Sequence, residues 1–190
     1  MTSCPRALLL THGAGSDRDH PTLLALDDAF AAGPVDRINF PYRAAGRKGP
    51  PDRAPKLIAA IREAHADLCR RAEVAPEEIL MGGRSMGGRM CSMAVAEGLP
   101  AAGLVLLSYP LHPVGKPEKL RVDHFPGIDV PTLFISGDRD PMGPIADLRS
   151  HARAIRGPVT FHVLEGMRHD PKDADGEIVE AVGTWVAGLG

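Results

Sequence analysis

The sequence predicts an α/β fold: a doubly wound, six-stranded parallel sheet in the order 2-1-3-4-5-6, helices on both faces, one domain spanning residues 1–190. Three observations predict it. Six short strand-like runs alternate with helical stripes along the chain, the pattern of a parallel sheet covered on both sides. The first, third, fourth and fifth runs are continuously apolar, as central strands are, whereas the second and sixth alternate, as edges do. A length of 190 residues with 44% hydrophobic and 24% charged residues suits a single soluble domain with a sizeable core.

The first strand is Ala7-Leu8-Leu9-Leu10-Thr11, ending in the turn His12-Gly13-Ala14-Gly15. Pro21 opens a helix with Leu23, Leu26 and Phe30 on one face, and Gly33-Pro34 closes it. The alternating stretch from Val35 to Phe40 is the second strand. A loop rich in Gly, Pro and Arg runs from Pro41 to Pro55, and Leu57, Ile61, Ala64 and Leu68 then stripe a helix. Ile79-Leu80-Met81 leads through Gly82-Gly83-Arg84-Ser85-Met86-Gly87-Gly88 into a helix striped by Met86, Met90 and Met93, a spacing expected of core packing. Leu104 to Ser108 is the fourth strand. The stretch from Tyr109 to Val130 has no clear period, as expected of a functional loop or one carrying short helices. Thr132 to Ser136 is the fifth strand, followed by Gly137-Asp138-Arg139-Asp140-Pro141. Ile145, Leu148, Ala152 and Ile155 stripe the next helix, Val159 to Leu164 alternates as the sixth strand, and Ile178, Val182, Trp185 and Leu189 stripe the last helix.

Composition narrows the function. A net charge of −2 gives no electrostatic footprint for nucleic acid or an anionic membrane, and neither partner is expected. Cys4, Cys69 and Cys91 are odd in number and form no C-x-x-C pair, so reduced thiols in a cytoplasmic protein are expected. No segment reads as a signal peptide or a membrane span. Asp17, Asp19 and His20 lie close together, but no second ligand cluster accompanies them, and no metal is expected. Gly13 and Gly15 belong to neither G-x-G-x-x-G nor a Walker motif, and no cofactor is expected.

The chemistry centres on Ser85. Gly83-Arg84-Ser85-Met86-Gly87 is G-x-S-x-G at a predicted strand-to-helix turn, which strains the serine backbone and lifts its hydroxyl clear of the sheet. A serine attacks poorly unless a base takes its proton and a third group orients that base. The partners should come from the carboxyl ends of later strands: Asp138 or Asp140 after the fifth, His169 after the sixth. Asp140 is favoured, since Asp138 could pair with Arg139 or cap the next helix. Ser85 as nucleophile, Asp140 as acid and His169 as base give the chain order expected of this fold. Backbone N–H groups of Ala14 and Met86 are the candidate oxyanion donors. His12, Tyr42, Arg84, His112 and Met142 are candidate substrate contacts. Arg84 and Arg89 flank the serine and could hold a carboxylate or phosphate, or could equally be solvated or paired with Glu97 or Asp138.

On Leu10-Thr11-His12-Gly13-Ala14-Gly15, Gly83 to Gly87, Gly137 to Asp140 and Gly166 to His169, the chain resembles the α/β-hydrolase superfamily, closest to its small lidless dienelactone-hydrolase-like and acyl-thioesterase-like members. Phe40-Pro41-Tyr42, Pro50-Pro51, Gly82 to Arg89, and Tyr109 to Pro113 with Gly115-Lys116-Pro117 resemble a narrower group of predicted hydrolases. That group includes the hydrolase-like domain of a chromatin acetyltransferase-complex subunit. The resemblance covers nearly the whole chain and implies the triad Ser85, Asp140 and His169 with an oxyanion hole at Ala14 and Met86. The extra N-terminal strands of larger members and a cap-domain insertion are missing from the pattern, which implies a minimal fold and an open site. The expected activity is hydrolysis of a small or medium carboxylic ester or thioester through an acyl-enzyme, by a monomer or homodimer. A catalytically idle scaffold for binding is the alternative, and amide or carbon–carbon cleavage is a third.

Overall fold

The structure, a computed structural model, describes residues 4–189. Six parallel strands form one sheet: β1 (Ala7–Thr11), β2 (Val35–Ile38), β3 (Ile79–Arg84), β4 (Gly103–Leu107), β5 (Thr132–Gly137) and β6 (Val159–Leu164). Their order is β2-β1-β3-β4-β5-β6, and every neighbouring pair is parallel. The helices are α1 (Pro21–Ala29), α2 (Pro41–Ala44), α3 (Ala54–Ala72), α4 (Met86–Ala96), α5 (Ile145–Ala152) and α6 (Asp175–Ala187).

Successive side chains on a strand point to opposite faces, so the apolar runs supply two cores at once. Ala7, Leu9, Ile79, Met81, Leu104, Leu106 and Phe134 face α3 and α4, packing on Ile61, Leu68, Met90 and Ala94. Leu8, Leu10, Leu80, Val105, Leu107, Leu133 and Ile135 face the other way, onto Leu23 and Leu26 of α1 and Ile178 and Val182 of α6. The strands β1, β4 and β5 are buried throughout, while β2 is half-buried along its length and β6 nearly so, which is what edge positions require.

Two local differences from the expected elements stand out. The second strand stops at Ile38, not Phe40, because Pro41 starts a four-residue helix for which Phe40 is the N-cap. That short helix lies in the stretch expected to be loop. The segment after β4 carries only one 3-10 turn, Phe125–Gly127, yet Tyr109, Leu111, Phe125 and Ile128 are buried and anchor it to the core.

Burial also sets a pH dependence. His124 lies beside Ser92 and Phe125, and burial, with the Arg89 charge adding to it, lowers its pKa from 6.5 to about 4. Burial likewise lowers His12 and His65. Between the folded and unfolded values the unfolded chain binds more protons, so stability is fully present above about pH 6.5 and is lost as pH falls towards 4. His124 alone should remove on the order of 1–2 kcal/mol between pH 7 and pH 5. Urea titrations should therefore give a lower midpoint at pH 5, and His124→Gln should flatten that slope.

Candidate active site

The strand-to-helix turn is built by close backbone approach. Ser85, between β3 and α4, has φ 51° and ψ −116°, a conformation that costs a non-glycine residue about 1–3 kcal/mol. Its amide donates to the Leu107 carbonyl (2.8 Å), and its carbonyl accepts the Arg89 amide (3.1 Å), so β4 and α4 hold the strained residue from both sides. Gly83 and Gly87 sit against Thr11 at the end of β1. A Cβ on Gly87 would lie 2.6 Å from the Thr11 carbonyl oxygen, and one on Gly83 would lie 2.7 Å from it.

The loops after β5 and β6 meet above the sheet ends. A Cβ on Gly137 would lie 2.2 Å from the Met167 carbonyl oxygen, and that carbonyl accepts the Arg139 amide (2.9 Å). This contact carries Asp140 beneath His169. His169 Nδ1 and Asp140 Oδ2 are 2.7 Å apart, and His169 Nε2 and Ser85 Oγ are 2.8 Å apart. Asp140 is only 2% exposed, and its Oδ1 accepts the Met142 amide (2.8 Å). A buried carboxylate accepts, so Nδ1 of His169 carries the proton and Nε2 is left to receive the Ser85 hydroxyl. Asp138 is exposed and lies outside this chain of bonds.

A cavity of about 360 Å³ opens beside Ser85, walled by Ala14, Met86, Met90, Pro110 and Met142 among others. Met86 is the first residue of α4, where backbone N–H groups lack intrahelical acceptors and the helix dipole is positive. Ala14 approaches from the turn after β1. Phe40 N–H donates to His12 Nε2 (3.1 Å), which leaves His12 Nδ1–H to donate to the Gly13 carbonyl (2.7 Å). Tyr42 Oη–H donates to the Ala14 carbonyl (2.9 Å). These fully buried side chains brace the Gly13-Ala14 turn from below.

Of the candidate substrate contacts, Met142 reaches the cavity wall, whereas His12, Tyr42, Arg84 and His112 do not. His12 and Tyr42 are turned under the turn they brace. Arg84 donates to the His169 carbonyl (3.2 Å) and pairs with Asp170, so neither Glu97 nor Asp138 is its partner. It ties the histidine loop to β3. His112 is nearly buried, with Nδ1 on the Pro113 carbonyl (2.9 Å) and its amide donating to the Met142 carbonyl (3.2 Å). Asp52 and Arg121, which carry no motif or period, also line the cavity, and neither was marked by the sequence.

Asp19 pairs with Arg37, and His20 Nδ1 caps α1 by accepting the Thr22 amide. Among the described residues, no three His, Cys, Asp or Glu side chains are grouped so as to hold a metal ion, and no helix is long and apolar enough to cross a membrane.

Comparison with known proteins bears on the family and the fold. Residues 5–181 match the family model described as an alpha/beta hydrolase domain. The fold is similar to Est1E from Butyrivibrio proteoclasticus, with a TM-score of 0.76 at 17% identity over 100% of this chain and 89% of that one. It is also similar to a dienelactone hydrolase from Anabaena variabilis, with a TM-score of 0.77 at 18% identity over 97% of this chain and 87% of that one. An alpha-beta serine hydrolase homologue from Coxiella burnetii gives 0.73 at 18% identity, covering 97% and 85%.

Proposed function

Because the chain belongs to the alpha/beta hydrolase domain family, we propose that it is a serine hydrolase that cleaves a small or medium carboxylic ester or thioester through an acyl-enzyme. The observation carrying this is the unbroken relay from Ser85 Oγ through His169 to Asp140, with both distances under 3 Å. Ser85 Oγ attacks the carbonyl carbon as its proton passes to His169 Nε2. Asp140 stabilises the resulting imidazolium and keeps the ring in place. The negative charge moves to the carbonyl oxygen, where the Ala14 and Met86 amides can receive it. As the tetrahedral adduct collapses, the bond to the leaving alcohol or thiol breaks and that group takes the proton from His169. Water then attacks the acyl group on Ser85 with His169 again as base, releasing the acid and restoring the serine.

The oxyanion donors and the nucleophile border one cavity, which suits a substrate of modest size. Reaction with a fluorophosphonate probe tests the proposal. The wild-type protein should be labelled on Ser85 and should hydrolyse a short nitrophenyl ester, and Ser85→Ala should do neither. Wild-type protein as inert as Ser85→Ala would point instead to a non-catalytic scaffold.

A further inference from the structure

Two arginines on the cavity wall lack partners. Arg89 lies one helical turn beyond Ser85 on α4, and its Nε is buried with no hydrogen-bond acceptor. Arg121, from the long connection after β4, lines the same cavity. Among the described residues neither guanidinium forms an ion pair or a hydrogen bond; of the other arginines without an ion pair, Arg43 lies over the Tyr42 ring and the rest are exposed, whereas Arg89 and Arg121 are half-buried in the wall.

The acid on that wall does not answer them. Asp52 borders the cavity but is engaged by Arg47 (2.8 Å) and Lys56 (3.3 Å). His124, close enough to feel the Arg89 charge, is held neutral and contributes no compensation. Burial and the neighbouring Arg89 charge both disfavour the protonated form of Arg121, so the two cations raise each other's energy. Partly desolvated like charges are costly unless a counter-charge arrives.

We propose that Arg89 and Arg121 form an anion subsite beside Ser85, so that the ester or thioester substrate carries a carboxylate or phosphate on its acyl portion. The planar forks of two guanidiniums can grip such a group at several oxygens. Arg89 follows Ser85 by about one helical turn, a rise of about 6 Å, and both line the same cavity, so a substrate held at Ser85 extends along the wall that carries the two arginines. This rests on the serine-hydrolase reading for the reaction, though the anion site itself does not need turnover to be detected.

The test therefore has two arms. In the first, kcat/KM is measured for nitrophenyl butyrate and for mono-nitrophenyl succinate with wild type, Arg89→Gln and Arg121→Gln. The succinate-to-butyrate ratio should be roughly tenfold or more in wild type and fall towards one in each variant. Because a ratio is compared, general damage to the variants cancels. In the second arm, glutarate and inorganic phosphate are titrated calorimetrically at low salt into the same three proteins. Binding to wild type that weakens at least about tenfold in both variants supports the subsite, and the tighter of the two probes names the group. Anion binding of this kind without turnover of either ester would uphold the subsite while overturning the serine-hydrolase reading. A ratio near one in wild type, or arginine-independent binding of both anions, overturns the subsite even if butyrate is hydrolysed well.

Discussion

Ser85→Ala, His169→Ala and the double variant should all fall to the same floor, about 10⁴- to 10⁶-fold below wild type in kcat on a nitrophenyl ester. The relay acts as a unit. Without the hydroxyl the imidazole has no proton to take, and without the imidazole the hydroxyl remains a weak nucleophile. Asp140→Asn should come within reach of that floor, at about 10⁴-fold, for a reason particular to this site. The Met142 amide donates to Oδ1 of Asp140. It would fix an asparagine with its carbonyl oxygen on that amide and its NH₂ group towards His169 Nδ1. The ring would then have to accept at Nδ1 and carry its proton at Nε2, facing Ser85 as a donor instead of an acceptor. Steady-state kinetics on the four variants, with circular dichroism to establish folding, gives the result. Additive losses, or appreciable activity in Asp140→Asn, would remove the relay from the mechanism.

The parts of this molecule legible in its sequence are those fixed by burial on two faces. Leu8-Leu9-Leu10 and Leu104-Val105-Leu106-Leu107 are continuous because each alternate residue enters a different core, and that marks them as central strands. Strand order then brings the ends of β1 and β3 side by side, and Ser85, Asp140 and His169 can be located by counting strand ends. What sequence position does not reveal is whether a side chain near a strand end points up into the cavity or down into the fold. His12 and Tyr42 flank the site in sequence, yet both turn downward, because the Gly13 and Ala14 carbonyls and the Phe40 amide need partners there. Arg84 precedes the serine, but Asp170 and the His169 carbonyl draw it sideways. Arg121 is the converse case: it belongs to a stretch without periodicity, and only the burial of Tyr109 and Phe125 around it brings it to the wall.

The same turn should dominate stability as well as chemistry. Gly87→Ala is expected to cost roughly 3–5 kcal/mol, in the range of severe core disruptions. The added Cβ would lie 2.6 Å from both the Thr11 carbonyl oxygen and Thr11 Oγ1, and 2.7 Å from the His12 carbonyl oxygen. Two of these are main-chain atoms that no rotamer change can move aside. Thr11 is also paired with Gly83 in the β1–β3 ladder, and its hydroxyl donates to the Gly82 carbonyl (3.1 Å). Relief of the clash must therefore separate two central strands or push α4 off the sheet, and either route opens the core on the α3–α4 side. Gly83→Ala should be at least as harmful, since its Cβ would meet Thr11 Oγ1 at 2.1 Å and the Gly88 amide nitrogen at 2.8 Å. Gly15→Ala, three residues past His12 with nothing within 4 Å of its Cβ, is the matched control and should change stability by less than about 1 kcal/mol. Urea midpoints for the three variants separate the cases. Equal, small shifts at Gly87 and Gly15 would mean that β1 and α4 are not in the close contact on which the position of the Ser85 hydroxyl depends.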